Sequence, residues 1–107
     1  MKTLKFHSRW VESIMSREKT VTWRLYDDKN LTVGDELEFI NRETLQKFAA
    51  AVIVSIREKR LGDIEGRDFE GHETYESRED MFKELINNYG DKVNGDTTVK
   101  LVEFKLR

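Results

Sequence analysis

The alternation of hydrophobic and polar positions predicts a strand at the start of the chain and a helix directly after it. Leu4 and Phe6 alternate with polar residues, which places both on one face of a strand over 2–7. Ser8 stands where a helix N-cap is expected, because its hydroxyl can accept a hydrogen bond from a free backbone amide. Four apolar residues then recur at helical spacing and predict an amphipathic helix through about residue 17: Trp10, Val11, Ile14 and Met15.

Four later segments also have the period of a strand. They are Lys19–Leu25, Glu36–Asn41, Lys47–Arg57 and Thr98–Leu106. Both faces of the 47–57 segment are partly apolar, so we expect this strand to lie at the centre of a sheet. Its alanines indicate close packing by a neighbouring element.

A second helix is predicted after a segment that glycines interrupt. Residues 61–76 contain Gly62, Gly66 and Gly71, which leaves room for only a short helical turn between 61 and 69. Ser77 then fits the N-cap of a helix that ends near Gly90. Its predicted buried stripe consists of Met81, Phe82, Leu85, Ile86 and Tyr89.

The order of these elements is β-α-β-β-β-(short α)-α-β, which predicts the α+β class. Five or more strands with only two substantial helices favour a curled mixed sheet or a barrel with helices at its ends. A doubly wound parallel sheet is not expected, because alternating βαβ units are absent. A length of 107 residues is typical of one domain, so we assign 1–107 to a single domain.

Composition narrows the classes of function. The 19 basic and 21 acidic residues leave a net charge of −2, which argues against binding of long duplex DNA through a strongly basic face. A small nucleotide or a single flipped base in a pocket remains compatible with this charge. The chain has no cysteine and two histidines, so thiolate chemistry is excluded and a histidine-based metal cage is not expected.

No signal-peptide pattern and no long apolar run occur in the sequence. We therefore expect a soluble, cytoplasmic protein that does not associate with a membrane.

The segment from Lys19 to Arg24 carries two cations and two threonine hydroxyls within six residues. In an extended strand Thr20, Thr22 and Arg24 share one side, and this row of polar groups suits an anionic or acceptor-rich ligand. The structural alternative is a half-exposed strand with a polar outer face.

Three motifs carry a resemblance to a known family: Lys19-Thr20-x-Thr22-x-Arg24, Val33-Gly34-Asp35-x-Leu37-x-Phe39 and Val99-x-Leu101-Val102-x-Phe104. Together with the order of the elements, they make essentially the whole chain resemble an ASCH domain, which is similar to the PUA domain. The resemblance implies a PUA-like pseudo-barrel of five to six strands with two main helices across its openings. PUA relatives bind RNA, and some small ASCH proteins resemble a bacterial amidohydrolase that acts on N(4)-acetylcytidine.

The resemblance also implies roles for individual residues. Lys19 and Thr22 match two catalytic positions of the amidohydrolase, and a glutamate before the last helix would be the third. Glu73 is our choice for that glutamate, while Glu70 and Glu76 also fit the spacing. No cofactor and no metal are expected. An ideally extended strand would send Lys19 and Thr22 to opposite faces, so their convergence requires a bend near residue 20.

Four further residues are candidates for ligand binding: Thr20, Trp23, Arg24 and His72. Arg24 could pair with a surface carboxylate or grip a phosphate or base edge, because a guanidinium suits both. Trp23 could pack in the core or stack on a base, and His72 lies in the glycine-interrupted loop.

Three functions follow as hypotheses. The first is binding of RNA or a nucleoside-like ligand beside the 19–24 strand. The second is deacylation of a modified cytidine, and the third is a protein-interaction module without a ligand pocket.

Overall fold

Five strands form one mixed sheet in the computed structural model, which describes residues 1–107. They are β1 (Lys2–Phe6), β2 (Val21–Leu25), β3 (Glu36–Asn41), β4 (Lys47–Arg60) and β5 (Thr98–Leu106). Their order across the sheet is β1-β3-β4-β5-β2. β1 pairs with β3 in parallel, and all other pairs are antiparallel. The predicted central position of β4 is therefore confirmed.

Two α-helices and three short 3-10 turns complete the chain. The helices are α1 (Val11–Met15) and α2 (Arg78–Tyr89), and the 3-10 turns span Ser8–Trp10, Leu61–Asp63 and Gly66–Phe69. The predicted helix after β1 is thus half 3-10, and the predicted helical turn within 61–69 is two separate turns.

The sheet curls until its two edge strands approach each other. Nη2 of Arg24 on β2 donates a hydrogen bond of 3.2 Å to the backbone carbonyl of Lys5 on β1. The edges are otherwise not paired as strands, so a seam remains open between them. The result is a curled α+β half-barrel, as predicted, with five strands. No helix is both long and apolar enough to cross a membrane.

The sheet separates two hydrophobic cores. One contains residues from β1, α1, β3, β4 and β5, including Leu4, Phe6, Ile14, Phe39 and Phe104. The other lies against α2 and includes Trp23, Leu25, Met81, Leu85 and Leu101. Alternate residues of β5 thus contribute to different cores, which is why this strand is rich in apolar residues, whereas the apolar residues of β2 belong to the core against α2.

A β-bulge in β4 departs from the alternation predicted by the sequence. The register with β5 shifts between Ile53 and Ser55, and Val54 is exposed. Because the extra residue breaks the two-residue period, Ile56 packs against the same core as Ile53.

Of the two serines predicted as helix N-caps, the structure confirms Ser77 and not Ser8. The Ser77 side chain accepts a hydrogen bond from the Asp80 amide, which confirms it as the N-cap of α2. Gly90 ends that helix with a φ of 104°, a conformation that favours glycine. The prediction for Ser8 is wrong: its hydroxyl donates to Oδ1 of Asn41 at 2.9 Å, and residue 7 precedes the turn without a side-chain cap.

Candidate functional site

A narrow cleft of about 90 Å³ lies at the open seam between the two edge strands. β1 and β2 form its two sides, and α2 and the loop before that helix close its end. Six of the seven residues predicted for the site line it: Lys19, Thr22, Trp23, Arg24, His72 and Glu73. The seam is thus where the curled sheet brings distant segments of the chain together.

Lys19 and Glu73 form a buried ion pair in this cleft. Nζ of Lys19 lies 2.5 Å from Oε1 of Glu73 and 3.1 Å from the carbonyl oxygen of Val21. The lysine side chain is only 6% exposed, and its Nζ also lies 5.4 Å from the centre of the Trp10 ring. The Lys19 charge is therefore held by its partner in a place that water hardly reaches, whereas Glu73 is half-buried.

Burial and attraction act in opposite directions on the two pKa values. Burial lowers the pKa of Lys19, and the attraction of Glu73 opposes this only in part. For Glu73, burial acts to raise the pKa, but the charge and the hydrogen bond of Lys19 help to lower it overall. Lys19 therefore gives up its proton more readily than a solvated lysine, and Glu73 gives up its proton more readily than a solvated glutamate.

The bend that brings Lys19 to the cleft comes from a junction with Gly71. The carbonyl oxygen of Gly71 accepts hydrogen bonds from the amides of Thr20 and Val21, at 2.9 and 3.0 Å. β2 begins only at Val21, two residues after the predicted start, so Lys19 is free of the strand alternation. Gly71 thereby joins the segment that holds Lys19 to the loop that holds Glu73.

Thr20 is the one predicted site residue that the structure does not bring to the cleft. It lines a wider depression of about 660 Å³ together with Arg57, Arg67 and Glu70. The expectation that residues 20, 22 and 24 share a face fails because Thr20 precedes the strand and packs against Gly71.

Among the three candidate glutamates, Glu73 is the one that contacts Lys19. Glu70 is exposed on the wider depression, and Glu76 is exposed without lining either cavity. Of the three glutamates, Glu73 is therefore the one whose carboxylate lies in the cleft.

His72 is held in one orientation by a hydrogen bond and a stacked ring. Its Nδ1 lies 2.7 Å from the carbonyl oxygen of Glu73, so in the neutral ring Nδ1 carries the proton. Nε2 then has a free lone pair 3.5 Å from Oε1 of Glu73. Burial and the nearby Lys19 charge lower the pKa of His72 to about 4, which keeps the ring neutral at pH 7.

The stack on His72 uses a face of Trp23 that a base could otherwise occupy. The two ring centres are 4.3 Å apart with an angle of 15° between the planes, and Phe69 packs against the same indole. Trp23 is 5% exposed. It is therefore a residue that positions His72, with its edge at the cleft, while Thr22 beside it supplies a hydroxyl to the lining.

Several residues of the cleft were not predicted from the sequence. Trp10 and Tyr75 contribute aromatic rings, while His7 and Arg42 form a hydrogen-bonded pair on the rim, with 2.9 Å between Nε2 and Nη1. The only sequence signal for His7 was its rarity, since the chain has two histidines. No group of three or more histidine, aspartate or glutamate side chains is arranged to hold a metal ion.

Comparison with solved structures finds ASCH proteins with the same architecture. An ASCH domain from Lactobacillus crispatus superposes with a TM-score of 0.70 at 13% identity, over 98% of this chain and 79% of that one. The ASCH protein of Zymomonas mobilis gives a TM-score of 0.67 at 12% identity, over 98% of this chain and 65% of that one. This chain has the ASCH fold.

A protein from Pyrococcus furiosus matches this ASCH-fold chain over nearly the whole length of both. It gives a TM-score of 0.67 at 19% identity, and the match covers 98% of this chain and 96% of the other. No protein-family model matches the sequence, and no curated protein matches it. At these identities the likeness concerns the fold, so the function has to be argued from the site.

Proposed function

We propose that the seam cleft binds RNA or a nucleoside-like ligand. The observation that carries this proposal is the convergence of Lys19, Glu73 and Thr22 on one cleft with aromatic walls. A carboxylate, a hydroxyl and an ammonium can read the donor and acceptor edge of a base, and the fold adds support because PUA relatives bind RNA. The interaction-module hypothesis has less support, since it expected Lys19 and Glu73 to be apart and solvated.

The size of the cleft limits what it encloses. Pockets for drug-sized ligands measure roughly 300–1,000 Å³, and this cleft measures about 90 Å³. It therefore has room for the edge of one base or for an acyl group, and the rest of the ligand lies over the rim. A single-stranded or flipped-out base can enter such a cleft, whereas a paired base in a duplex cannot.

Calorimetry with cytidine and with a short single-stranded RNA tests this proposal. We expect saturable binding of at least one of them to the wild-type protein, weakened in Thr22→Val, which keeps the shape of the side chain and removes its hydroxyl. Absence of binding to both ligands would remove the main support for the proposal.

A second candidate function is hydrolysis of an acetyl group from N(4)-acetylcytidine. The specific observation in its favour is the buried contact between Lys19 and Glu73, because the lowered pKa of Lys19 suits a general base. The hydroxyl of Thr22, or a water that it orients, would add to the acetyl carbonyl carbon while the neutral form of Lys19 takes up the proton. Where Thr22 itself adds, a water then hydrolyses the acetyl-threonine ester and releases acetate. That proton passes through Glu73 to the cytosine nitrogen as the C–N bond breaks, and the Lys19 charge stabilises the oxyanion meanwhile.

An assay against a panel of modified nucleosides separates the two candidates. Release of acetate and cytidine above a no-enzyme control would support the hydrolase. Binding without turnover would leave the ligand-binding function alone.

A further inference from the structure

The cations of the seam cleft outnumber its carboxylates, although the protein as a whole carries a net charge of −2. Five cationic side chains line it, against the two carboxylates Glu73 and Glu84. Each carboxylate already has a partner: Glu73 pairs with Lys19, and Glu84 pairs with Arg9 at 3.1 Å. Three cations therefore remain without a carboxylate: Lys5, Arg24 and Arg42.

Arg24 is the most unusual of the three, because it is half-buried and incompletely bonded. Its guanidinium lies over the Phe6 ring, with 5.0 Å from Cζ to the ring centre. The single hydrogen bond to the Lys5 carbonyl uses one of its five N–H donors. Nε is buried and has no partner. A half-buried cation with free donors and an unpartnered buried Nε is well suited to an anionic or acceptor-rich group that completes its hydrogen bonds.

Arg42 and Lys5 extend this cationic surface on the rim. Arg42 donates from Nη1 to Nε2 of His7, which leaves the second terminal nitrogen of its guanidinium free to donate. Nδ1 of the same histidine lies 3.0 Å from Glu43, so the imidazole is oriented from both sides. The pair holds Arg42 at the mouth of the cleft without neutralising it.

Resting on the proposed function, we propose that the ligand of this cleft carries a phosphate, and that Arg24 binds this phosphate together with Arg42 and Lys5. A guanidinium presents a planar fork of donors that matches the oxygens of a phosphate, and three unpaired cations suit its charge. The base edge meets Lys19, Glu73 and Thr22 while the phosphate meets Arg24 at the rim. The site therefore takes nucleotides or RNA in preference to free nucleosides.

Calorimetry with matched ligands tests this assignment. The ligands are cytidine, cytidine 5′-monophosphate and the dinucleotide of two cytidines without a terminal phosphate. We expect the wild-type protein to bind the monophosphate, the dinucleotide or both about tenfold more tightly than cytidine at low salt, with the ratio falling as salt rises. The monophosphate and the dinucleotide distinguish a terminal phosphate from a phosphodiester.

The deciding readout is a ratio measured in each variant: the dissociation constant of cytidine divided by that of the preferred phosphate ligand. Arg24→Gln is expected to bring the ratio for the preferred phosphate ligand close to one. Arg67→Gln, which makes the same charge change on the wider depression, is expected to preserve it. Arg42→Gln provides a second test on an exposed side chain, with a partial loss of the ratio, in case Arg24→Gln does not fold.

A ratio near one in the wild-type protein would overturn the phosphate assignment and leave the proposed binding of nucleosides intact. A ratio that Arg24→Gln and Arg42→Gln both leave unchanged would also overturn it. Failure of all three ligands to bind would instead contradict the proposed function itself.

Discussion

Nζ of Lys19 lies 2.5 Å from Oε1 of Glu73, although 54 positions of the sequence separate the two residues. The contact depends on two features of the fold. The sheet curls until its edge strands face each other, and the Gly71 carbonyl joins the segment after α1 to the loop before α2. The buried pair is therefore a product of tertiary structure, and it is the chemical centre of the cleft.

If the cleft is an amidohydrolase site, its three central residues should lose activity in different ways. Lys19→Ala and Thr22→Ala are each expected to abolish deacylation of N(4)-acetylcytidine, because they remove the base and the nucleophile. Glu73→Gln is expected to lower kcat more than it raises KM, since its role is to pass on a proton. Product release followed by chromatography measures all three effects.

Circular dichroism of the same variants checks that the fold is intact. Glu70→Gln serves as the matched control, because Glu70 is exposed on the other depression and should retain full activity. Full activity of Glu73→Gln would contradict the role given to Glu73.

The His72 ring predicts a pH dependence of stability. Its pKa is about 4 in the folded protein against 6.5 in the unfolded chain, so between these values the unfolded state binds more protons. The free energy of unfolding should therefore rise as the pH increases from about 4 to 6.5. Below that window, His72 should lower it by about 3 kcal/mol relative to neutral pH. Urea unfolding at several pH values measures the effect.

His72→Gln isolates this contribution, because glutamine can still donate to the Glu73 carbonyl but does not titrate. The difference in unfolding free energy between wild type and His72→Gln should change by about 3 kcal/mol between pH 4 and 6.5. Parallel curves for wild type and His72→Gln would refute the prediction.

Gly71→Ala should destabilise the protein and disturb the cleft together. Gly71 has a φ of 76°, and an added Cβ would overlap Oγ1 of Thr20. The backbone conformation alone costs about 1–3 kcal/mol for a residue other than glycine. Thermal unfolding should show a clear loss for this variant and partial recovery in Gly71→Ala/Thr20→Ala, which relieves the contact but not the backbone strain.

Gly66→Ala is the matched control for that experiment, because its added Cβ would meet no atom within 4 Å. Equal melting temperatures for Gly66→Ala and Gly71→Ala would contradict the stabilising role assigned to the contact between Gly71 and Thr20.

The two serines predicted as helix caps should respond differently to alanine. Ser77→Ala removes the bond to the Asp80 amide and should cost about 1 kcal/mol of unfolding free energy. Ser8→Ala removes only an exposed side-chain bond to Asn41, and the cost should stay within about 0.5 kcal/mol. Denaturant unfolding compares the two, and a larger loss for Ser8→Ala would contradict the assignment.

Local patterns in the sequence were sufficient to predict that the five strands and α2 exist and that the fold is of the α+β class. Leu37 and Phe39 alternate and are both fully buried, and the cap at Ser77 is encoded within one helical turn. The β4 bulge was not predictable, because it is set by pairing with β5 and not by the residues of β4 alone.

The site was less accessible to sequence reasoning for the same physical reason. Lys19 and Thr22 were proposed because they are close in sequence and match a motif, and Glu73 was chosen by its position before the last helix. The contact between Glu73 and Lys19 is visible only in the folded loop. Thr20 was misplaced because the strand period was applied before the strand begins. Arg42 and Trp10 belong to the cleft only because the sheet curls, and no local pattern reports that.

Chemical-shift mapping by NMR is the measurement that tests the central claim most directly. Cytidine and a short single-stranded RNA are titrated separately into labelled protein. The account predicts saturable shifts at Lys19, Thr22 and Glu73, around the seam cleft. No shift with either ligand, or shifts confined to the wider depression around Arg57 and Arg67, would contradict it.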